Sequence, residues 1–406
     1  MIVDPKGFVD IAASEQTSLD NGPYVDFARA IPGATSVPAS IRIGSGFGVR
    51  LASDLNGNLY AVWNNEFSGA PLEFSRSVDG GATFSTPQSI ATSATAQHIA
   101  VDTNGTVFVA WASGTISLTR SIDGGNTFST PAPISDATKT ASSPLLAITP
   151  RGTVTALWEY SDDSQCDIWS RSSSDAGQSF SPEVNVSKSS ACASLAGVDC
   201  CTEGVSYEDD HQMQVDSQGN IDLVWDDSSS GVMFSRSVDG GVMFTPPTKI
   251  SDVQGVWPKI AVDSTGNINV AWDQASRTGG FSFSRSTDGG ATFSPPRTIG
   301  SDASSNPEIG TDSSGDIDVV WQEPSTIAGN SLIFSQSINQ GQDFSAPILV
   351  QTDGLANIPE VQFVVEPDGS VDVVGSNTLD TAEWPTGFSS HGSPAVADMS
   401  SGSPPR

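Results

Sequence analysis

One eight-residue pattern, S-x-D-x-G-x-[TS]-F, returns six times and leaves few folds open to this chain. It reads SVDGGATF at 77–84, SIDGGNTF at 121–128, SSDAGQSF at 173–180, SVDGGVMF at 237–244 and STDGGATF at 286–293. The sixth copy, SINQGQDF at 337–344, carries Asn339 in place of the aspartate. Asp79, Asp123, Asp175, Asp239 and Asp288 lie 44, 52, 64 and 49 residues apart. Such spacing marks a supersecondary unit that buries its apolar face only against its neighbours. An aspartate followed by glycine between two apolar runs is a tight turn. The glycine supplies positive φ, and the carboxylate accepts hydrogen bonds from its own turn. These aspartates therefore read as turn braces, with the closing Phe packing back on its own unit.

A second repeat alternates with the first. It reads SDLNGNLYAVW from Ser53, VDTNGTVFVAW from Val101, ITPRGTVTALW from Ile148, VDSQGNIDLVW from Val215, VDSTGNINVAW from Val262 and TDSSGDIDVVW from Thr311. A seventh, VEPDGSVDVVG from Val365, ends in Gly375. Each is a strand, a D-x-x-G turn (Thr149 or Glu366 replacing Asp in the third and seventh) and a strand with period-two alternation. Each of the first six ends in a tryptophan: Trp63, Trp111, Trp158, Trp225, Trp272 and Trp321. The unit thus has strands a and b around the D-x-x-G turn, strand c in the FSRS run, and strand d after the S-x-D-x-G turn. No run reads as a long amphipathic helix.

The S-x-D-x-G-x-[TS]-F motif resembles the Asp-box, or BNR repeat, of sialidase-like β-propellers, and the resemblance covers most of the chain. It implies an all-β propeller of four-stranded antiparallel blades with one bulky aromatic per blade. There are seven a–b hairpins and six c–d turns. PGATSVPASI at 32–41 reads much like GGATFSTPQSI at 80–90. The expectation is a seven-bladed propeller whose last blade, built from residues after Ile358, is closed by that N-terminal strand, which would remove an open edge. A six-bladed sialidase-type propeller is the alternative. Residues 1–31 then form an N-terminal extension, 32–390 the propeller, and 391–406 a Gly/Ser/Pro-rich tail without fixed structure.

The formal charge is −30, from 47 acidic and 17 basic residues. A field of that sign repels nucleic acid and anionic membranes. No stretch of 18 apolar residues offers a membrane span, and no signal peptide is visible in the chain. Cys166, Cys192, Cys200 and Cys201 fall in one short window without a CxxC pair, which favours disulfides over a metal site and an extracytoplasmic setting: secreted, periplasmic or cell-surface. A cross-link from Cys166 to one of the other three is expected. No cofactor motif appears. Clustered aspartates could hold Ca²⁺, without EF-hand spacing. A monomer is expected.

In an antiparallel meander the a–b and c–d turns share one end of each blade. The b–c loops and d–a links share the other, where propellers of this kind carry their sites. The b–c loops place Glu159, Tyr160, Asp226, Asp273 and Arg277 there, beside Asn64, Glu66, Asp162, Asp163, Asp227, Gln322 and Glu323. Four residues before each turn Asp the chain carries Arg50, His98, Gln212, Lys259 and Glu308, with Leu145 in the third hairpin. A position that differs in every copy suits a ligand better than it suits a scaffold. The long link at 186–210 holds three of the cysteines and Tyr207, Glu208, Asp209 and Asp210, with His211 next to it. Trp257 offers a platform for a sugar ring. The FSRS arginines Arg76, Arg120, Arg171, Arg236 and Arg285 repeat in register and read as structural, paired with carboxylates of neighbouring blades.

For a sialidase the resemblance implies an arginine triad, an Asp acid/base and a Tyr nucleophile. The chain departs from that set. Its nearest match to the first arginine motif is Arg42 in SIRIGSG, and its four tyrosines, Tyr24, Tyr60, Tyr160 and Tyr207, all precede the late region where the nucleophile belongs. The expected function is binding of glycan or a partner protein at the loop-bearing face. The alternative is a glycoside hydrolase or polysaccharide lyase there, using Glu159, Asp226, Asp273 or Tyr207.

Overall fold

The computed structural model describes all residues except 17–22, 32–37, 66–69, 162–165, 190–191, 196–211, 252–254, 275–279, 303, 325–329, 356–359, 366–370, 377–386 and 392–406. Among the described residues there are 32 strands and no α-helix. They form eight antiparallel sheets in chain order, numbered I to VIII: residues 2–45, 47–94, 96–133, 141–185, 193–249, 255–299, 305–355 and 360–391. Sheets I to VII have at least four strands, and VIII has three. Sheets I to IV, VI and VII run a-b-c-d as meanders, V does so with strand a in two pieces, and VIII shows three consecutive strands. The a strands of successive sheets touch: Phe47–Ser53 against Ala96–Val101, then Ala141–Ile148, Met213–Val215, Gly255–Val262, Ser305–Thr311 and Glu360–Val365. The a strands therefore gather on the inside and the d strands lie outside, which is a propeller.

Among the described residues seven sheets have four or more strands, the number of blades expected, but the seventh arises elsewhere. The N-terminal d strand, Ile41–Ser45, pairs with Pro23–Ala30 rather than with the C-terminal hairpin. Residues 2–45 are a blade of their own, and 1–31 is not an extension. The signal was present in Val3-Asp4-Pro5-Lys6-Gly7, a turn of the D-x-x-G form. Asp4 Oδ1 accepts from the N–H of Lys6 at 2.8 Å and of Phe8 at 3.0 Å, as Asp54 Oδ1 does from Asn56 and Asn58. Ala13 stands where sheets II to VII have tryptophan, which hides the pattern. The expected tail lies outside the described residues.

The tryptophans fill the gaps between blades. Trp63, Trp158, Trp225, Trp272 and Trp321 are fully buried. Trp158 packs with Phe108 and Leu118 of blade III, and Trp321 with Phe281 and Phe283 of blade VI. Each such side chain removes roughly 150–250 Å² of apolar surface from water.

The S-x-D-x-G turn is also a joint between blades. In blade II, Ser77 Oγ donates to Asp79 Oδ1 at 2.7 Å and accepts from Gly81 N at 2.8 Å. Thr83 donates its N–H to Asp79 Oδ1 and its hydroxyl to Oδ2, at 2.9 and 2.6 Å. The same bonds recur around Asp123, Asp175 and Asp288. Hydroxyl and amide donors hold the carboxyls of Asp79 and Asp288 down at about 2, and those of Asp123 and Asp175 well below the usual range. The closing Phe packs on the preceding blade, not back on its own: Phe84 on Phe27, Phe128 on Phe74, Phe293 on Phe234 and Phe344 on Phe283, with centroids 4.8–5.3 Å apart. The second glycine lies over that same ring. At Gly290, with φ +84°, a Cβ would come within 1.9 Å of Phe234 Cε1.

Candidate functional site at the channel mouth

The opposite end of each blade is built from a bulge. In blades II, IV, VI and VII two residues of strand a oppose the one tryptophan of strand b: Gly48-Val49, Ser143-Pro144, Trp257-Pro258 and Asn306-Pro307. The first of each pair lies in the left-handed region, with φ +63°, +51°, +51° and +51°. An extra residue in this conformation sharpens the twist and re-aims the chain, and glycine or asparagine tolerates it best. Blade III has no bulge, since Gln97 pairs one-to-one with Trp111.

The next residue down the strand is the varied polar position. Arg50, His98, Leu145, Lys259 and Glu308 occupy one register place, opposite Val62, Ala110, Leu157, Ala271 and Val320. Gln362, opposite Val374, holds the same place in blade VIII. His98, Gln212, Lys259 and Glu308 are buried and Arg50 is partly exposed. Lys259 Nζ lies 3.3 Å from Glu308 Oε1, across two successive blades. The expected ring of unlike polar groups thus has a direct contact within it.

Sequence reasoning put the cysteine-bearing insertion in a d–a link, and the structure places it inside strand a of blade V. Ala193–Ser194 pairs with Asp227 and Asp226, and Met213–Val215 with Leu223 to Ile221 of the same strand b. Ser194 opposite Asp226 matches Val256 opposite Asp273. The described strand a of blade V thus breaks after Ser194 at the register place where blades II, IV, VI and VII have their two-residue bulge, and resumes in pairing at Met213. Cys192 is disulfide-bonded. Cys166 is buried, and its backbone bridges that of Cys192. Cys200, Cys201, Glu66, Asp162, Asp163, Tyr207 to His211 and Arg277 lie outside the described residues.

The carboxylates that follow the tryptophans clip one blade to the next. Asp273, on blade VI, is buried and accepts from the N–H of Asn306, the bulge residue of blade VII, at 3.0 Å. Glu159, on blade IV, is buried and accepts from the N–H of Leu195 and from Ser194 Oγ of blade V. Asp227 and Glu323 cap their surroundings. Burial would raise both carboxyls, but hydrogen bonds from Ser189 and Ser229 to Asp227, and from Trp321 and Ser304 to Glu323, outweigh it and lower them. Asp226 pairs in register with Ser194 at the entry to the insertion. Tyr160 is a packing residue. Its hydroxyl donates to Glu183 Oε1 at 2.7 Å, its ring meets Trp158 and Trp169, and Lys139 lies over it. Burial, then the Glu183 bond, pushes its phenol up to about 12.

The strand-c arginines are structural, with partners other than those expected. Arg236 binds Asp222 at 2.6 Å, and Arg285 binds Asp263 at 2.9 Å, within their own blades. Arg76 and Arg120 instead donate to the turn carbonyls of Gly124 and Ala176 on the next blade. Arg42, the nearest match to a sialidase arginine, lies on the outermost strand of blade I against Tyr24 and Asp26, away from the channel. Among the described residues no cluster of acidic, His or Cys side chains could hold a metal ion, and no helix is long and apolar enough to cross a membrane.

No protein-family model matches the sequence, and no curated protein matches it. Solved structures similar to it include a protein of unknown function from Dyadobacter fermentans, at 13% identity and TM-score 0.46, over 95% of this chain and 97% of that one. Another is the NanB sialidase of Streptococcus pneumoniae, at 10% identity and TM-score 0.45, over 93% and 89%. A third is an ulvan lyase described as a new family of polysaccharide lyase, at 12% identity and TM-score 0.49, over 85% and 90%.

Proposed function

We propose that this chain is an extracytoplasmic propeller that binds carbohydrate at the mouth of its channel without cleaving it. The observation that carries this reading is the Lys259–Glu308 pair. A buried ion pair adds little to stability once desolvation is counted, and no other blade interface repeats it at this register place among the described residues. Unlike polar groups converging at one end of a rigid scaffold are what an oriented ligand requires. Hydrolysis needs two carboxyls facing a common substrate. Glu159 and Asp273 are instead turned to the backbone of the next blade. The disulfide at Cys192 supports an oxidising compartment.

A glycan array run beside screens for hydrolysis and β-elimination tests this. Binding without product, lost in Lys259→Met, is expected. Turnover abolished by Glu159→Gln would replace the reading with a glycoside hydrolase. A blank array would sink it in favour of a protein partner.

A further inference from the structure

Trp257 holds a conformation its neighbours reserve for small or amide side chains. At the first bulge position blade II has Gly48, blade IV Ser143 and blade VII Asn306, all with positive φ. Blade VI puts a tryptophan there, at φ +51°. An indole in the left-handed region is strained, and Pro258 restricts the position further. The side chain gains no full burial in return, because it is only partly covered, unlike the fully buried Trp272 that the bulge opposes. Backbone strain of this kind collects at functional sites.

The surroundings define what would bind. Two residues down the same strand Lys259 meets Glu308, and the next bulge residue, Asn306, is tied to Asp273. The Lys–Glu pair supplies donor and acceptor with no net charge. The whole chain, at −30, disfavours an anionic ligand.

We infer that Trp257 is the stacking platform of a subsite for an uncharged pyranose, whose apolar C–H face lies on the indole while its hydroxyls reach Lys259 and Glu308. This rests on the carbohydrate-binding reading and names the ligand class for it.

The test measures calorimetric binding of cellohexaose, laminarihexaose and xylohexaose, with 3′-sialyllactose and a galacturonate oligomer as charged comparisons. Wild type and Trp257→Asn are compared, since asparagine already occupies this position in blade VII. At least one neutral oligosaccharide is expected to bind in preference to both charged ones. Trp257→Asn is expected to weaken that binding at least tenfold while melting no lower than wild type. Equal affinity in Trp257→Asn, or preference for a charged glycan, overturns the subsite and leaves carbohydrate binding standing. A drop in melting temperature with Trp257→Asn gives the indole a structural role and overturns the inference. No binding of any glycan overturns both.

Discussion

The two ends of the blades solve different problems. At the turn end, Ser77, Asp79, Gly81 and Thr83 recur with the same bonds around Asp123, Asp175 and Asp288. At the channel end, the bulge position reads Gly48, Ser143, Trp257 and Asn306, and the place below it Arg50, Leu145, Lys259 and Glu308. At the turn end, blades II, III, IV, VI and VII each lay the fifth-position glycine of the motif on a phenylalanine ring of the blade before, and in blade V Gly241 meets Thr155 instead, so nearly one solution serves throughout. The channel end shares only its backbone, through the bulge, and leaves the side chains free to differ. Uniformity at the turn end marks stability, and under the proposed function the variation at the channel end serves recognition.

The largest test of this contrast is Gly290→Ala. Positive φ and the Phe234 ring leave no room for a Cβ, so overpacking and strain should cost about 3 kcal/mol or more in chemical denaturation. A loss under about 1 kcal/mol would mean that the turn is not a joint.

Blade VII offers the second test. Asp10 pairs with Arg29 and Asp222 with Arg236, strand b to strand c. Asp318 occupies the same register place but faces Gln336. Burial, with Asp312 and Asp316 nearby, pushes its carboxyl up to about 7. The folded chain then keeps a proton that the unfolded chain releases above about pH 4. The contribution of Asp318 to stability should be fullest below that pH, fall as pH rises towards 7, and then level off. Gln336→Arg should flatten that slope and stabilise the protein by about 1–3 kcal/mol at pH 8, with little gain at pH 4. An unchanged pH profile of the melting temperature would refute the pairing.

The smallest effect is expected at blade V, where Met243 replaces the Thr that donates to the turn aspartate. Asp239 keeps the bond from the Met243 N–H. Met243→Thr should restore the hydroxyl bond and add about 0.5 kcal/mol, read as a melting shift. A destabilised variant would show that the exposed methionine contributes packing that the other turns lack.

Much of this was legible in the sequence because it is local. The D-x-x-G and S-x-D-x-G turns are set within about eight residues, and the tryptophans fall at one register. Blade I escaped notice because Pro32 and Ala13 stand at the two most telling places, leaving only Asp4 and Gly7 as a signature. The bulge could not be seen at all. Gly, Ser, Trp and Asn share no chemistry, and only the pairing of two residues against one tryptophan reveals their equivalence. Without the bulge, Ala193–Ser194 has no pattern to mark it as strand a, so the insertion was assigned to a link. The carboxylates after the tryptophans were found, but their partners are backbone N–H groups of the next blade, and such contacts leave no trace in side-chain identity.

The sixth turn carries one further consequence. Asn339 Oδ1 accepts from Ser337 Oγ and from Asp343 N, while its amide donates to Asp343 Oδ2 at 3.2 Å. Donor and acceptor have changed places between the third and seventh positions of the motif. Restoring aspartate at 339 alone would set two carboxylates against each other, a worse turn than either the present one or the full motif. Asn339 and Asp343 are matched to each other, so a copy that looks decayed in sequence is intact in its bonding.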